Sequence, residues 1–278
     1  MNCPVCDGRK WTEVYAGQVR DGENGSEFRT VLECDDCLIQ RLDKFYDNDK
    51  YKTGEYRESL NEEEWDYEFH DAVQKHILNE LPSMRGKTVV DVGCGGGSFL
   101  DMVSGVASQV IAVEPNRKYR GMPYKTYSYA SEVMELADVV VSFDVIEHTE
   151  NPVEFMEDIK RLLDINGRLF VVTPNRDEIL FKLLPEYREF RYQTVHNWYF
   201  DRDSLWNCAN KAGLTVENIR TIHRFGIGNT FGWLLEKRPV GDKKYAFLTG
   251  KIDALWRSYL ERENLGEALL IQCRRAVA

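Results

Sequence analysis

From Lys87 onward the chain alternates between strand-like and helix-like patterns of apolar residues. Runs typical of buried strands lie at residues 88–92, 109–114, 137–143, 168–173, 214–222 and 268–273. Helical spacing of apolar residues lies at 98–103, at about 152–163, at about 230–237 and at about 245–261. Such alternation is typical of a parallel sheet with helices on both faces. The pattern therefore predicts an α/β fold with a doubly wound sheet.

The first 86 residues follow a different pattern. Stretches rich in β-favouring residues, Trp11–Ala16 and Phe28–Glu33, flank turn residues at 21–25 and predict a hairpin. A helix is predicted over about 61–81, with Asn61 as its cap and Pro82 after its end. We predict a hairpin module at 1–42, a helical segment or lid at 43–86 that includes Tyr51, Tyr56 and Arg57, and a sheet domain at 87–278 with a helical insertion at about 229–262.

Composition narrows the class of protein. The 278 residues carry 36 Lys and Arg against 46 Asp and Glu, a net charge of −10. The overall composition, with 43% hydrophobic residues, is ordinary for a globular protein, and it excludes fibrous and wholly disordered chains. No apolar run approaches the roughly 20 residues of a membrane span. The N-terminus lacks the pattern of a secretory signal, so a cytoplasmic protein is expected. Residues 1–86 carry 11 basic against 20 acidic residues, and residues 223–278 carry 10 against 6.

The most informative segment is VVDVGCGGGS, from Val89 to Ser98. Glycines after a buried strand let a ligand approach the backbone, and the next helix offers N–H groups to an anion. The second strand ends in Glu114, 23 residues after Asp91, where a carboxylate can accept hydrogen bonds from both hydroxyls of a ribose. Ser98 stands where a dinucleotide fingerprint has Gly or Ala, which disfavours NAD and FAD.

These residues resemble the class I S-adenosylmethionine (SAM)-dependent methyltransferases. The stretches VVDVGCGGGSFL, VIAVEPN, ADVVVSFDVIEHTENP and GRLFVVTP occur in family order over about residues 80–222. The resemblance implies a Rossmann-like sheet of seven strands, one of them antiparallel, and SAM as cofactor. It implies cofactor contacts from Asp91, Gly93, Cys94, Gly95, Gly97, Glu114, Pro115, Phe143, Asp144 and Val145. The acid that the family often carries after the third strand has no match in residues 127–131.

Four of the seven cysteines form two Cys-x-x-Cys pairs, Cys3 with Cys6 and Cys34 with Cys37. The two pairs lie at the two ends of the predicted hairpin, which brings four thiolates within reach of one tetrahedral zinc ion. With four protein ligands no position is left for a substrate, so this zinc-ribbon module predicts a structural metal. The alternative, cysteines that are free or form disulfides, fits a reducing cytoplasm less well.

A methyltransferase domain behind a four-cysteine module resembles two groups of enzymes. One comprises the sugar C-methyltransferases and related small-molecule enzymes of surface-polysaccharide pathways. The other comprises ribosomal-RNA guanine methyltransferases with an N-terminal zinc knuckle. The stretch Arg224–Asn229, followed by Trp233 and Leu234, is more similar to the first group. The acidic N-terminal segment also disfavours RNA as the substrate.

Two histidines are candidates for the general base that a hydroxyl acceptor requires. His148 lies in a D-x-x-E-H pattern that begins at Asp144, itself a third candidate catalytic residue, and His196 lies in the loop that caps the acceptor pocket in enzymes of this fold. The sugar C-methyltransferases carry Glu before the second histidine, where this chain has Val195, so a lone histidine favours O-methylation. Structural roles remain open for both: capping for His196, and support of the loop or cofactor for His148.

The region before His196 offers groups that suit a phosphate-bearing sugar. Arg188 and Arg191 are placed to bind a phosphate, although surface arginines are commonly only solvated. Aromatic side chains that could stack on a sugar or a base, or simply pack as a lid, are Tyr187, Phe190, Tyr192, Trp198, Tyr199 and Phe200. We therefore expect a small-molecule O-methyltransferase acting on a sugar or a nucleotide-linked sugar. An rRNA methyltransferase, a sugar C-methyltransferase and a non-enzymatic SAM-binding module are the alternatives.

Overall fold

The computed structural model describes residues 2–21, 25–47, 49, 53, 67–116, 118, 122–240, 243–248 and 250–276. The predicted lid residues Tyr51, Tyr56 and Arg57, the helix cap Asn61 and part of the turn at 21–25 lie outside the described residues. Two compact units are distinguished. The first comprises Met1–Tyr46, Thr173–Leu205 and Ile219–Leu270, and the second comprises Asp47–Val172, Trp206–Asn218 and Ile271–Ala278. The domain boundaries at 42 and 86 stay a prediction.

The secondary structure of the described residues agrees with an α/β protein. The strands are β1 (Trp11–Arg20), β2 (Ser26–Cys34), β3 (Gln40–Leu42), β4 (Thr88–Val92), β5 (Gln109–Val113), β6 (Lys125–Tyr127), β7 (Ala137–Phe143), β8 (Leu163–Pro174), β9 (Trp198–Tyr199), β10 (Leu214–Ile222) and β11 (Ala268–Arg275). The helices are α1 (Tyr67–Asn79), α2 (Ser98–Val103), α3 (Pro152–Lys160), α4 (Ile179–Leu183), α5 (Pro185–Arg191), α6 (Arg202–Lys211), α7 (Ile227–Glu236) and α8 (Lys251–Arg262).

Seven strands form the main sheet, in the order β10-β11-β8-β7-β4-β5-β6. The pairs β5–β6, β4–β5, β4–β7 and β7–β8 are parallel. The chain first adds strands on one side of β4 and then on the other, so the strand order reverses at β4. In such sheets ligands bind beyond the carboxyl ends of the strands at this reversal. The prediction of a doubly wound, seven-stranded Rossmann-like sheet is confirmed.

Burial explains why the central strands have continuous apolar sequences. Val89 and Val90 of β4 and Val140 and Val141 of β7 are all fully buried, because both faces of these strands are covered. Helix α3 shows the other pattern, with its buried residues at Val153, Met156 and Ile159. Its cap is Asn151, whose side-chain oxygen accepts hydrogen bonds from the N–H groups of Val153 and Glu154.

A smaller four-stranded sheet in the first unit has the order β1-β2-β3-β9. β1 and β2 are antiparallel, with Trp11 opposite Cys34, so the predicted hairpin is confirmed and is longer than its sequence pattern indicated. Strands β3 and β9 are only three and two residues long, and the sequence did not reveal them. Within the described residues, no helix has both the length and the apolar character needed to cross a bilayer.

Two helix boundaries differ from the sequence prediction. The helix expected to reach Leu163 ends at Lys160, because Leu163 already pairs with Ala137 as the first residue of β8. The continuous helix expected over about 245–261 is divided into a 3₁₀ turn, Lys243–Leu248, and helix α8. Gly250 separates them with a φ of 83°, a conformation that interrupts a right-handed helix. Helices α4, α5 and α6 were not predicted.

Candidate functional site

The glycine segment forms a tight turn between β4 and α2 in the second unit. Gly93, Gly95 and Gly97 have φ values of 78°, 52° and 86°, in the left-handed region that side chains with a Cβ rarely adopt. Gly97 directly precedes Ser98, the first residue of α2. Backbone N–H groups of the turn are thus available at the carboxyl end of β4, where a cofactor binds in sheets of this kind.

Close packing also requires a residue without a Cβ atom at position 93. A Cβ atom at Gly93 would lie 2.4 Å from Cγ2 of Val145 and 3.3 Å from its Cγ1. Val145 follows β7, so the backbone turns after β4 and β7 lie against each other without room for one methyl group. At Gly97 a Cβ would lie 2.8 Å from the sulfur of Met122, which is a more flexible neighbour.

We expect the substitution Gly93→Ala to raise the Kd for SAM at least about tenfold. The left-handed φ costs an alanine roughly 1–2 kcal/mol, and the contact with Val145 displaces the turn further. Isothermal titration calorimetry with SAM measures the change. Gly105→Ala is the matched control, because no described atom lies within 4 Å of the added Cβ and its φ is not positive. Equal affinities in the two variants would contradict the assignment of this turn to the cofactor.

Glu114 links the two turns at the carboxyl ends of β4 and β5. Its Oε2 accepts a hydrogen bond of 2.9 Å from the N–H of Gly95, and its Oε1 accepts one of 2.9 Å from the N–H of Asn116. Each carboxylate oxygen has a second lone pair for a ligand hydroxyl. The carboxylate that the sequence predicts as the ribose ligand therefore also fixes the glycine turn.

Asp91 is the buried acid of this site. It is 3% exposed, and burial raises its pKa from 3.8 to about 8, with a smaller contribution from the negative charge of Glu114. Burial also raises the pKa of the neighbouring Cys94 thiol, which makes Cys94 a poor nucleophile. Burial and the negative charge of Glu114 therefore both favour the protonated form of Asp91.

The other predicted cofactor residues of the second unit lie at the end of β7, directly after it, and after β5. Phe143 is buried and its ring contacts Phe99 edge-on, with 5.2 Å between the ring centroids. Asp144 has a φ of 54°, an uncommon conformation for a residue with a side chain, and its N–H donates to the carbonyl of Val172. His148 closes a short 3₁₀ turn, and its Nε2 lies 3.9 Å from Oε1 of Glu147. Pro115 follows Glu114 and is half-buried.

The four predicted metal ligands come together in the first unit. The sulfurs of Cys3 and Cys37 are 3.6 Å apart and those of Cys6 and Cys34 are 3.5 Å apart, and all four lie within 4.8 Å of one another. Tetrahedral zinc with Zn–S bonds of about 2.3 Å needs sulfurs about 3.8 Å apart, whereas a disulfide needs about 2.05 Å. No disulfide forms among the described cysteines. The thiol arrangement fits a zinc ion.

His196 lies in a pocket of the first unit. The residues that line this pocket are Pro174, Asn175, Arg176, Phe181, Arg191, His196 and Tyr199. His196 is 8% exposed, and the side-chain amide of Gln193 lies 3.0 Å from its Nε2 and 3.2 Å from its Nδ1. Of the residues that the sequence predicted in this region, His196 and Arg191 line the pocket, whereas Arg188 is not among the described residues that line it. Arg176, which the sequence analysis did not predict, also lines the pocket.

Charged groups surround this pocket. Arg176 donates to Glu33 over 2.8 Å and to Asp201, and Nε of Arg191 lies 3.4 Å from Oε1 of Glu178. Nη2 of Arg191 and Nε of Arg176 are both buried and have no hydrogen-bond partner within the described residues. Two guanidinium nitrogens of the pocket residues thus have hydrogen-bonding capacity that the described residues leave unused.

Two buried carboxyl groups of the first unit, Glu178 and Glu267, differ in pKa because their neighbours differ. Glu178 is fully buried and accepts a hydrogen bond of 2.6 Å from the hydroxyl of Tyr187; burial raises its pKa to about 8 even though Arg191 opposes the shift. Glu267 is buried as well, but its two hydrogen bonds with Arg224 hold its pKa at about 2. Burial thus favours the protonated form of Glu178, whereas the ionised Glu267 interacts favourably with the charge of Arg191.

Sequence reasoning missed Arg176, Glu178 and Glu33. Arg176 has one sequence signal, because it is the second residue after the stretch GRLFVVTP, and functional side chains collect just beyond the strand ends in parallel sheets. Glu178 and Glu33 have no such signal. Glu33 contacts Arg176 and Glu178 contacts Arg191 only in the folded chain, and no sequence pattern indicates either contact.

The reversal of strand order, the glycine turn and the carboxylate after β5 define a SAM-dependent methyltransferase of class I. A family model described as a methyltransferase domain matches residues 62–219, more than half of the chain, and the chain belongs to this family. A ubiquinone biosynthesis O-methyltransferase of Aeromonas salmonicida is 23% identical over 176 residues, which cover 56% of this chain and 74% of the relative.

Solved structures show the same fold. A chain of the complex between the Haloferax volcanii Trm112 methyltransferase activator and a methyltransferase has a TM-score of 0.50 at 17% identity, and the match covers 75% of this chain and 91% of that one. The mitomycin 7-O-methyltransferase also has a TM-score of 0.50, at 16% identity, over 80% of this chain and 58% of its own. At these identities the likeness shows the fold alone.

Proposed function

We propose that this methyltransferase transfers a methyl group from SAM to a hydroxyl of a small molecule, namely a sugar or a nucleotide-linked sugar used for surface polysaccharides. The observation that carries the proposal is the pocket of the first unit, where His196 lies beside two arginines, Arg176 and Arg191. A base and cations in one pocket suit an acceptor that has a hydroxyl to deprotonate and a phosphate to bind. The names of the O-methyltransferase relatives also favour oxygen as the methylated atom.

The second unit contributes the cofactor residues. SAM supplies a methyl group that its sulfonium already activates, so the protein contributes mainly orientation. Glu114 would accept hydrogen bonds from the ribose hydroxyls, the turn of Gly93, Gly95 and Gly97 would hold the methionine part, and Asp91 would lie beside it. Phe143, Asp144 and Val145 would border the sulfonium and the acceptor. Cys94 and Pro115 complete the contacts through the backbone near them.

His196 acts in this proposal as the general base. Its burial and its contact with Gln193 fix the imidazole ring, and a base of near-neutral pKa removes the hydroxyl proton as the methyl group is transferred. His148 supports the loop after β7, where Glu147 lies beside it. The lone histidine preceded by Val195 favours O-methylation over C-methylation, which in the sugar enzymes uses a Glu-His pair.

Cys3, Cys6, Cys34 and Cys37 bind a structural zinc ion in this proposal. The sulfur distances fit tetrahedral thiolate coordination, and four protein ligands leave no site for a substrate. A cytoplasmic location is part of the same proposal, since that compartment keeps thiols reduced.

Cofactor binding is expected to depend on pH through Asp91. Its pKa of about 8 means that the carboxyl is protonated below that pH, whereas the ammonium of the cofactor's methionine part favours the ionised form. Binding of S-adenosylhomocysteine should therefore release a proton, and the affinity should rise by up to about tenfold per pH unit between pH 6 and 8. Calorimetry in buffers of different ionisation enthalpy measures the proton release, and Asp91→Asn should abolish it. An affinity that falls as the pH rises would contradict this role.

The proposed acceptor class is tested with matched pairs of acceptors. Nucleoside diphosphate sugars and the corresponding free sugars are incubated with the protein and radiolabelled SAM. We expect turnover of the phosphate-bearing member, and a KM about 10- to 100-fold higher for it in the Arg191→Gln variant, because one charge-assisted hydrogen bond contributes roughly 1.5–3 kcal/mol. Arg188→Gln is the control, since Arg188 does not belong to the described lining of the pocket. Equal turnover of both members would contradict the phosphate contact.

A further inference from the structure

The cysteine module is hydrogen-bonded to the loop that carries His196. Strand β3 pairs with β2 on one side and with β9 on the other, with Gln40 opposite Tyr199 and Arg41 opposite Trp198. The carbonyl of Asn197 accepts a hydrogen bond of 3.1 Å from the N–H of Leu42. All these residues belong to the first unit. The small sheet therefore continues from the metal ligands into the acceptor loop.

A second set of contacts reaches the same loop from the other end of the hairpin. The N–H of Arg20 donates to the carbonyl of Tyr192, and the N–H of Thr194 donates to the carbonyl of Arg20 over 2.8 Å. The hydroxyl of Thr194 donates to the carbonyl of Asp21. Residues 192–199 are thus attached to the module on both sides of His196.

Side chains next to the metal ligands extend to the pocket. Oε2 of Glu33, the residue before Cys34, accepts hydrogen bonds of 2.8 Å from Nη1 of Arg176 and 2.9 Å from Nε2 of Gln40. The hydroxyl of Tyr192 donates to Oε1 of Gln40 over 3.1 Å. Glu33 and Gln40 therefore lie on the two strands that the cysteine turn connects, and they orient one arginine of the pocket and the tyrosine at the start of the loop.

The turn between β2 and β3 is the part that a metal would fix. It contains Cys34 and Cys37, and Leu38 has a φ of 61°, which is uncommon for a branched side chain. Strands of three and two residues are too short to be stable by themselves. Because metal binding and folding are coupled in small thiolate sites, the position of β3 depends on the metal more than on strand pairing.

We propose that the four-cysteine module is a positioning element of the acceptor pocket: its zinc ion fixes the turn that holds Glu33 and Gln40 against Arg176 and Tyr192. This inference rests on the proposed function, which assigns the pocket to the acceptor. The module thereby determines acceptor recognition, while cofactor binding in the second unit is independent of the metal. Glu33 is a positioning residue that acts through Arg176.

The first test needs no acceptor. Hydrogen–deuterium exchange is compared in the zinc-loaded protein and after zinc removal by a chelator, with the metal content measured in both. We expect exchange of residues 192–199 to accelerate at least about tenfold, while exchange at residues 88–116 and the Kd for S-adenosylhomocysteine change less than twofold. Unchanged exchange at 192–199, or an equal loss of cofactor binding, would overturn the proposal.

The second test keeps the zinc ion and serves if the zinc-free protein unfolds. Glu33→Gln retains a side chain that accepts hydrogen bonds but removes its charge, and Glu13→Gln on the same hairpin is the control because Glu13 is exposed. We expect Glu33→Gln to keep its zinc and its cofactor affinity, to accelerate exchange at residues 192–199, and to raise the acceptor KM about tenfold at unchanged kcat. Identical exchange in the two variants would overturn the proposal. If no sugar is methylated the proposed function fails, yet the exchange result still decides the role of the module.

Discussion

Glu114→Ala is expected to weaken SAM binding by about 100- to 10,000-fold. In the proposed function the carboxylate accepts hydrogen bonds from the two ribose hydroxyls, and hydrogen bonds to a charged group contribute roughly 1.5–3 kcal/mol each. The carboxylate also accepts a hydrogen bond from the N–H of Gly95, so its removal releases the glycine turn that we propose as the cofactor site. Titration calorimetry with SAM and with S-adenosylhomocysteine measures the loss.

Asp138→Ala is the matched control for this substitution. The carboxylate of Asp138 also accepts a hydrogen bond from a backbone N–H, that of Thr88 over 2.9 Å, but Thr88 is the first residue of β4 and lies at the opposite end of the strand from the glycine turn. It should lower stability slightly and leave the SAM affinity unchanged. A Glu114→Ala variant that binds SAM as tightly as the unchanged protein would sink the cofactor assignment.

His196→Ala is expected to lower kcat by about 100- to 10,000-fold while the Kd for SAM stays the same. Removal of a general base has this magnitude, and the proposed function assigns no cofactor contact to His196. Steady-state kinetics with saturating SAM and acceptor measure kcat. Added imidazole should restore part of the rate in the variant, which a purely structural histidine would not show.

His148→Ala distinguishes the two histidines. We expect a smaller decrease of kcat, below about tenfold, and no rescue by imidazole, because His148 supports the loop after β7 in this account. A larger loss in His148→Ala than in His196→Ala, with rescue by imidazole, would transfer the role of base to His148.

The cofactor turn could be predicted from the sequence because its determinants are local. Three glycines follow a buried strand directly, and the positive φ values of Gly93, Gly95 and Gly97 follow from that position. The cysteine cluster was predictable for a related reason. Two Cys-x-x-Cys pairs at the ends of one hairpin need only the pairing of β1 with β2 to meet.

The acceptor pocket could not be predicted in the same way. Arg176 is held in the pocket by its hydrogen bond to Glu33, which is 143 positions away in the sequence. Arg191 is held by its ion pair with Glu178. The pKa of Glu178 depends on its complete burial, a property of the packed chain that no pattern displays. The sequence was interpreted around α5 only as a set of aromatic residues and arginines, and it predicted no element at α4.

The contacts in the structure change the interpretation of the charged residues in the N-terminal segment and before His196. The excess of acidic residues in the N-terminal segment disfavoured RNA, but one of those acids, Glu33, has a defined partner in Arg176. The two arginines before His196 also differ. Arg191 lines the pocket with a buried N–H group, whereas Arg188 lies over the ring of Phe181, 5.8 Å from its centroid. Net charge disfavoured RNA as a partner, whereas the contacts in the structure distinguish the individual charged residues.

The most direct test of the account is transfer of a trideuteromethyl group from labelled SAM to a nucleoside diphosphate sugar, followed by mass spectrometry and NMR of the product. We predict one labelled methyl group on a hydroxyl oxygen of the sugar. The reaction should be lost in the Glu114→Ala variant and strongly slowed in the His196→Ala variant. A protein that binds SAM but places the label on a carbon atom, on RNA or on no acceptor would contradict it.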